Sequence, residues 1–302
     1  MSWPSQTDRA CYSRFEVLPL GRSEEEAAQL PEAARLAVTC SPKHGPDQSV
    51  EVAERLRALG HAVTVHLAAR MVRDRAHLDE LLEGMGQTGV DDVFLIAGDA
   101  TPPHGPYSSA VELLPVIDGH PRRPAKIGIA GYPEGHPLID PSSLAEALER
   151  KSRLADYITT QLCFDPEAVL AWLADLRERE VNLPVLLGVP GVVDRGRLLK
   201  ISMRIGVGPS RAFLRKQRGL RHLLAHPAAT ANRVYDALAP HVGDPGGNVI
   251  GFHYYTFNQL VDTWSWVRQK DGRPALVATP ATSGDVREND RGLALPKEAD
   301  AR

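Results

Sequence analysis

Eight short apolar runs punctuate the chain, at residues 15–18, 36–39, 62–66, 93–97, 126–130, 157–162, 183–187 and 248–254. Each has strand length and is closed by a polar or turn residue. Between several of them the apolar positions recur at helical spacing instead. Residues 50–59 carry that pattern and stop at Gly60, a residue type suited to the position just past a helix. Residues 77–85, 141–154 and 166–177 predict three more helices, the last with Asp165 as its N-cap and Pro166 at the first helical position. Strand–helix alternation of this kind predicts βαβ units and a parallel sheet, and eight strands favour closure into an α/β (β/α)8 TIM barrel. The stretch from Gly188 to Asn248 is longer than one crossover needs. It predicts extra helices between strands 7 and 8, at 194–205, 210–224 and 229–238, placed to cover the barrel mouth. Residues 1–13 read as a flexible lead-in, 14–270 as a single barrel domain, and 271–302, rich in Asp, Glu, Arg, Gly and Pro, as a disordered tail.

All C-terminal strand ends of such a barrel meet on one face, which carries the active site. Pro19, Thr39, His66, Gly98, Asp99, Tyr132, Gln161, Gly188, Tyr255 and Thr256 stand at or just past the ends of the runs. They are therefore expected around one pocket.

Composition narrows the partners. A net charge of -3 over 302 residues offers no basic field for nucleic acid or anionic lipid. No apolar stretch reaches the ~18 residues of a membrane span, and the first residues lack a signal-peptide pattern. Cys11, Cys40 and Cys163 form no C-x-x-C pair, which fits a reducing cytoplasm. The expected partner is a small molecule, without nucleic acid or membrane; oligomeric state is left open.

Two familiar motif readings fail on context. Residues 84–89 match G-x-G-x-x-G, but they follow a helix and precede a strand, the reverse of a dinucleotide-binding turn, and read as a helix stop. The eleven histidines include no HExxH or HxH, and His61 and His66 lie at opposite ends of one strand, so no metal site is expected. Glu16 is more informative, because it lies inside the first apolar run. It either faces outward and pairs with a surface arginine, or is buried, in which case its pKa rises and it becomes a candidate general acid. Asp99 follows the fourth strand, where it serves as a turn residue or a site carboxylate. Tyr132 and His136 sit in a proline-flanked loop after the fifth. Gln161 is an amide at the sixth strand that needs a hydrogen-bond partner and suits the donor–acceptor edge of a heterocycle. Aromatic residues at 252–257 are placed to pack in the core or to stack on a planar ligand.

Taken together, these segments resemble the methylenetetrahydrofolate reductase family. The resemblance is carried by Phe15-Glu16-x-x-Pro19, by Gly98-Asp99, and by Tyr132-Pro133-Glu134-x-His136-Pro137. Thr160-Gln161-x-x-Phe164-Asp165 and Phe252-His253-x-Tyr255-Thr256-x-Asn258 complete it, in order, across residues 14–268. It implies a cytoplasmic NADH- or NADPH-dependent oxidoreductase of one-carbon metabolism and methionine biosynthesis, which reduces 5,10-methylenetetrahydrofolate to 5-methyltetrahydrofolate, ordinarily through bound FAD. It places Glu16 as the acid that opens the imidazolidine ring and Asp99 beside the pterin as the second catalytic residue. Gln161, Tyr255 and Phe164 become substrate contacts. Thr39, His66, Gly98, Tyr107, Tyr132, His136 and Lys151 fall at flavin-side, cofactor-binding positions.

The departures from the family pattern fall on the flavin anchors. Ala97 replaces the usual arginine before Gly98-Asp99, Leu144 and Ala147 replace an aspartate and an asparagine on the helix after the fifth strand, and Gln259 replaces an arginine after Asn258. Several lost contacts at ~1–3 kcal/mol each weaken flavin binding by orders of magnitude. The expectation is direct hydride transfer from a nicotinamide held in the vacated site, without tightly bound flavin. The alternatives are a conventional FAD-dependent reductase, the same chemistry run toward oxidation of methyltetrahydrofolate, and a non-catalytic folate-binding protein. Retention of Glu16, Asp99 and Gln161 together counts against the last. Arg195, Arg197, Arg204, Arg211 and Arg215 in the insert read as solvated helix faces rather than phosphate contacts, so NADH is not separated from NADPH.

Overall fold

A computed structural model describes residues 12–19, 22–41, 43–136, 138–193, 227–244 and 247–272. Eight parallel strands close into a barrel in sequence order, with β8 hydrogen-bonded back to β1. The strands are β1 (Tyr12–Val17), β2 (Arg35–Val38), β3 (Ala62–Ala68), β4 (Asp92–Ile96), β5 (Lys126–Gly131), β6 (Tyr157–Thr160), β7 (Val185–Pro190) and β8 (Val249–Tyr255). Each of the eight apolar runs thus overlaps a strand. β1 begins at Tyr12, so the barrel takes in two residues assigned to the lead-in. β6 ends at Thr160, which leaves Gln161 just past the strand.

Among the described residues one α-helix follows each strand: α1 (Ser23–Ala27), α2 (Gly45–Ala58), α3 (Arg75–Gln87), α4 (Ala110–Asp118), α5 (Pro141–Ser152), α6 (Pro166–Glu178), α7 (Pro227–Leu238) and α8 (Leu260–Lys270). The Asp165 side chain accepts from the Glu167 and Ala168 amides and caps α6, as expected. The G-x-G-x-x-G segment is the C-terminal turn of α3, ending at Gly89 with φ +73°. Of the three helices expected between strands 7 and 8, the third is α7, which packs on β7 and α6 as the crossover. The first two, and with them Arg195, Arg197, Arg204, Arg211 and Arg215, lie outside the described residues, as do residues 1–11 and 273–302.

Alternation along the strands divides the apolar side chains into two layers. Phe15, Val17, Val65, Leu95, Ile129, Ile158, Leu187 and Phe252 point outward and join helix residues such as Leu56, Leu78, Leu113 and Leu173 in the main core. A smaller cluster of Tyr12, Phe94, Ala130, Tyr157 and Leu186 contains strand residues alone and fills the barrel interior. At its floor lies a closed polar network. Arg14, 1% exposed, donates to Tyr157 Oη at 2.8 Å and to Asp92 Oδ2 at 2.8 Å. Tyr157 Oη donates to Asp92 Oδ1 at 2.8 Å, and Thr64 Oγ1 donates to Asp92 Oδ2 at 2.9 Å.

The phase of β8 depends on one irregularity. The β7–β8 register runs Val185↔Val249 and then Leu186↔Gly251, so β8 carries an extra residue there. Ile250 packs with the interior cluster, Phe252 and Tyr254 pack outward, and His253 and Tyr255 turn inward. Gly251 permits the bulge, because a Cβ there would stand 2.1 Å from the Tyr12 carbonyl oxygen.

The floor network yields a stability prediction. Asp92→Ala strands the Arg14 charge in the barrel and is expected to cost about 3–5 kcal/mol. Urea denaturation should show a lower midpoint at unchanged slope.

Candidate active site

At the C-terminal end of the barrel a cavity of about 290 Å³ is lined by Glu16, Thr39, His66, Asp99, Tyr132, Gln161 and Tyr255, among others. Residues singled out separately along the sequence thus line one cavity. A second cavity, of about 440 Å³, adjoins it through Ile96, Ala130 and Tyr132, and runs outward beneath α4, α5 and α6. Lys151 lines this second space together with Ala97, Leu144, Ala147 and Trp172.

Glu16 owes its place to strand phase. Arg14 and Glu16 share the inner face of β1, with Phe15 and Val17 turned to the helices. The backbone around Glu16 is pinned from β8. Thr256 Oγ1 donates to the Glu16 carbonyl oxygen, and Asn258 both accepts from the Leu18 amide at 2.7 Å and donates to the Leu18 carbonyl at 3.2 Å. Asn258 reaches that pose with φ +55°, a conformation asparagine tolerates better than most residues. Burial pushes the Glu16 carboxyl from its ordinary 4.5 up to about 7, against a smaller opposing pull from His66.

Two histidines flank it. His66 on β3 and His253 on β8 are both buried, with ring centroids 6.2 Å apart. His253 Nε2 lies 3.4 Å from Glu16 Oε2. Burial first, then for His253 the Arg14 charge below, holds each imidazole down at about 3, so both are neutral at pH 7. One donor atom from each of Glu16, His66 and His253 falls within 4.8 Å of the others. Sequence spacing could not group them, since they stand on three separate strands. In the sequence His253 stands out only as part of the Phe252–Asn258 motif, with no site role.

On the opposite wall, Tyr255 Oη donates to Gln161 Oε1 at 2.9 Å, and the Leu162 amide donates to the same oxygen at 2.8 Å. With Oε1 engaged, the Gln161 amide NH2 is what this side chain offers the cavity. Gly188 makes the approach possible, because a Cβ there would lie 2.4 Å from the Thr160 carbonyl oxygen and 2.9 Å from the Tyr255 ring. Glu134, from the loop after β5, accepts from the Phe164 and Asp165 amides and ties that loop to the one after β6.

The other expected residues scatter around this centre. Gly98 supports the Asp99 turn with φ +81°, and a Cβ there would meet Ala68 Cβ at 2.7 Å. His136 packs edge-on against Tyr132 at 5.4 Å, outside both cavities. Lys151 is buried, donates to the Ala130 carbonyl at 3.4 Å, and is lowered to about 8 by burial. Tyr107 packs partly buried against the outer core, and Phe164 is buried with Val193, so neither lines either cavity. Gln259, buried at 3%, precedes α8 and donates its backbone amide to the Thr256 carbonyl.

A family model described as methylenetetrahydrofolate reductase matches residues 36–263. The chain belongs to the methylenetetrahydrofolate reductase family. It is similar to methylenetetrahydrofolate reductase (NADH) 1 of Arabidopsis thaliana, 29% identical over 52% of this chain and 29% of that protein. It also matches methylenetetrahydrofolate reductase 2 of Schizosaccharomyces pombe, 26% identical over 64% of this chain and 33% of that one. In Saccharomyces cerevisiae, methylenetetrahydrofolate reductase 2 is 25% identical over 49% of this chain and 26% of its own length. The chain thus spans between 26% and 33% of the length of these methylenetetrahydrofolate reductases. Among solved structures, dihydropteroate synthase from Thermus thermophilus in complex with 6HMPPP covers 83% of this chain and 90% of its own, at 16% identity and a TM-score of 0.43. Among the described residues no helix is long and apolar enough to cross a membrane.

The electrostatics predict a pH dependence of stability with two opposed windows. Between about 4.5 and 7 the unfolded chain has released the Glu16 proton while the folded chain keeps it, so this group's contribution falls as pH rises. His66 and His253 act oppositely, since below 6.5 the unfolded imidazoles take up protons that the folded ones refuse down to about 3. Glu16→Gln removes the first effect and leaves both imidazoles held down chiefly by burial. Its stability relative to wild type should therefore rise by on the order of 3 kcal/mol between pH 4 and pH 8, read from paired urea titrations. A flat difference across that range refutes the assignment of a raised carboxyl.

Proposed function

We propose that this protein reduces 5,10-methylenetetrahydrofolate to 5-methyltetrahydrofolate by direct hydride transfer from NADH, without tightly bound flavin. Family membership supports the reaction, and the name of the Arabidopsis relative favours NADH as donor. The observation that carries the flavin-free form is the make-up of the two cavities. The inner one gathers Glu16, Asp99, Gln161 and Tyr255 around a single space. The outer one has Ala97, Leu144 and Ala147 where the family pattern puts flavin-binding charged and amide side chains. Three apolar groups offer no hydrogen bonds to a flavin dinucleotide, so the anchors that the family pattern supplies for that cofactor are missing there.

In this reading the pterin lies across the inner cavity. Gln161 donates its amide to the heterocycle edge, held in orientation by Tyr255 Oη. Glu16, protonated near neutrality by burial, gives its proton to the ring nitrogen whose bond to the methylene carbon breaks. The bonding pair stays on that nitrogen, and the methylene becomes an iminium on the other. Asp99, exposed at the cavity rim, stabilises the developing cation. A hydride from the nicotinamide then completes the methyl group, so one NADH and one proton are consumed per turnover. The outer cavity, with Lys151 as its buried cation, is suited to the remainder of the dinucleotide.

An absorbance spectrum of the purified full-length protein tests the cofactor claim. The expected result is no visible flavin band and double-reciprocal plots of NADH oxidation that intersect. A stoichiometric flavin spectrum, or parallel lines, overturns it. Glu16→Gln is expected to lower kcat by about 10²–10⁴-fold, the range for loss of a general acid. Equal activity removes Glu16 from that role.

A further inference from the structure

His253 has no role in the reaction as written above, yet its position relative to Glu16 is specific. In the β1–β8 seam Arg14 pairs with His253 and Glu16 with Tyr255, so the imidazole stands one step below the carboxyl and one strand over. Its Nε2 faces Glu16 Oε2 at 3.4 Å, while its buried Nδ1 has no hydrogen-bond partner. A neutral imidazole carries one N–H. On Nδ1 that hydrogen would be a buried donor with no acceptor, at a cost of about 1–3 kcal/mol. On Nε2 it points at the carboxyl. The remaining charged and titratable groups around the pair are His66 across the barrel, Tyr255 above, and Arg14 below. Arg14 opposes protonation of the imidazole. The separation is at the long end for a hydrogen bond, as is common in unliganded sites before substrate tightens them.

We propose that His253 is a positioning residue for Glu16: its Nε2–H engages Oε2, so the acidic proton sits on Oε1, the oxygen left for the substrate. This rests on the reading of Glu16 as the acid. The engaged Oε2 fixes the carboxyl rotamer, and after proton transfer the same N–H stabilises the carboxylate left behind. A divalent ion held by Glu16, His66 and His253 is the rival arrangement. It is disfavoured because a ligating histidine normally donates its second ring N–H to an acceptor, and His253 Nδ1 has none.

The test uses His253→Phe and His253→Gln in the full chain. Phenylalanine keeps the bulk and loses the donor; glutamine returns an N–H near the Nε2 position. The expected result is a kcat for the phenylalanine variant about 30–100-fold below wild type, with KM within about threefold and recovery to within about fivefold in the glutamine variant. Equal losses in both variants, or a change confined to KM, overturn the proposal. Independently of activity, ¹⁵N NMR of the ring is expected to show the Nε2–H tautomer in wild type, with the Nε2 signal shifted in Glu16→Gln. An Nδ1–H tautomer overturns the proposal even if a variant fails to fold, as does an equivalent of zinc or iron that resists dialysis and leaves with chelator. A wild-type protein inactive on methylenetetrahydrofolate that still shows the Nε2–H tautomer and the Glu16-dependent shift refutes the function but keeps the pairing.

Discussion

The Arg14–Asp92 ion pair shapes the electrostatics of the cavity above it. A buried guanidinium is tolerable only when its charge is paired, and Asp92 and Tyr157 bond it from two other strands while Thr64 braces Asp92 from a third. The network plugs the barrel floor. It also sets a fixed positive charge beneath two histidines, adding to burial in keeping them neutral. A protonated His253 beside Glu16 would favour the carboxylate and drain the acid. The cation at the floor thus preserves the acid two residues further along β1.

In the proposed reaction the two cavities divide the labour of the site. The inner one is polar on opposite sides, with a carboxyl facing an amide, and is shaped by close backbone approaches at Gly98 and Gly188. The outer one is mainly apolar, with Lys151 as a buried cation that forms no ion pair among the described residues. Tyr132 belongs to both and is the hinge between substrate chemistry and donor binding in the proposed reaction.

Much of the architecture was legible in the chain. Eight apolar runs mark the strands because both faces of a barrel strand are buried. Glu16 stood out because a carboxylate inside such a run demands an explanation, and its raised pKa supplies one. Gln161 was legible as a polar residue at a strand end, although its oxygen turns out to be held by Tyr255. The helices with weak sequence patterns are α1, five residues long, α4, with Pro115 in its interior, and α8, where Thr263, Trp264, Ser265 and Trp266 alternate polar and aromatic as a strand would. His253 escaped for a different reason. Its partner lies 237 residues away, and its inward phase depends on the bulge at Gly251, which no alternation pattern reveals.

The β8–β1 seam has one more consequence. It is the contact that closes the barrel, and it also brings His253 and Tyr255 beside Glu16 and lets Thr256 and Asn258 grip the end of β1. The first half of the chain carries Glu16, His66 and Asp99; the second carries Gln161, His253 and Tyr255. Neither half holds a working constellation. Circular closure and assembly of the proposed acid site therefore depend on the same strand pairing, and in the proposed reaction a barrel left open there has no acid in place.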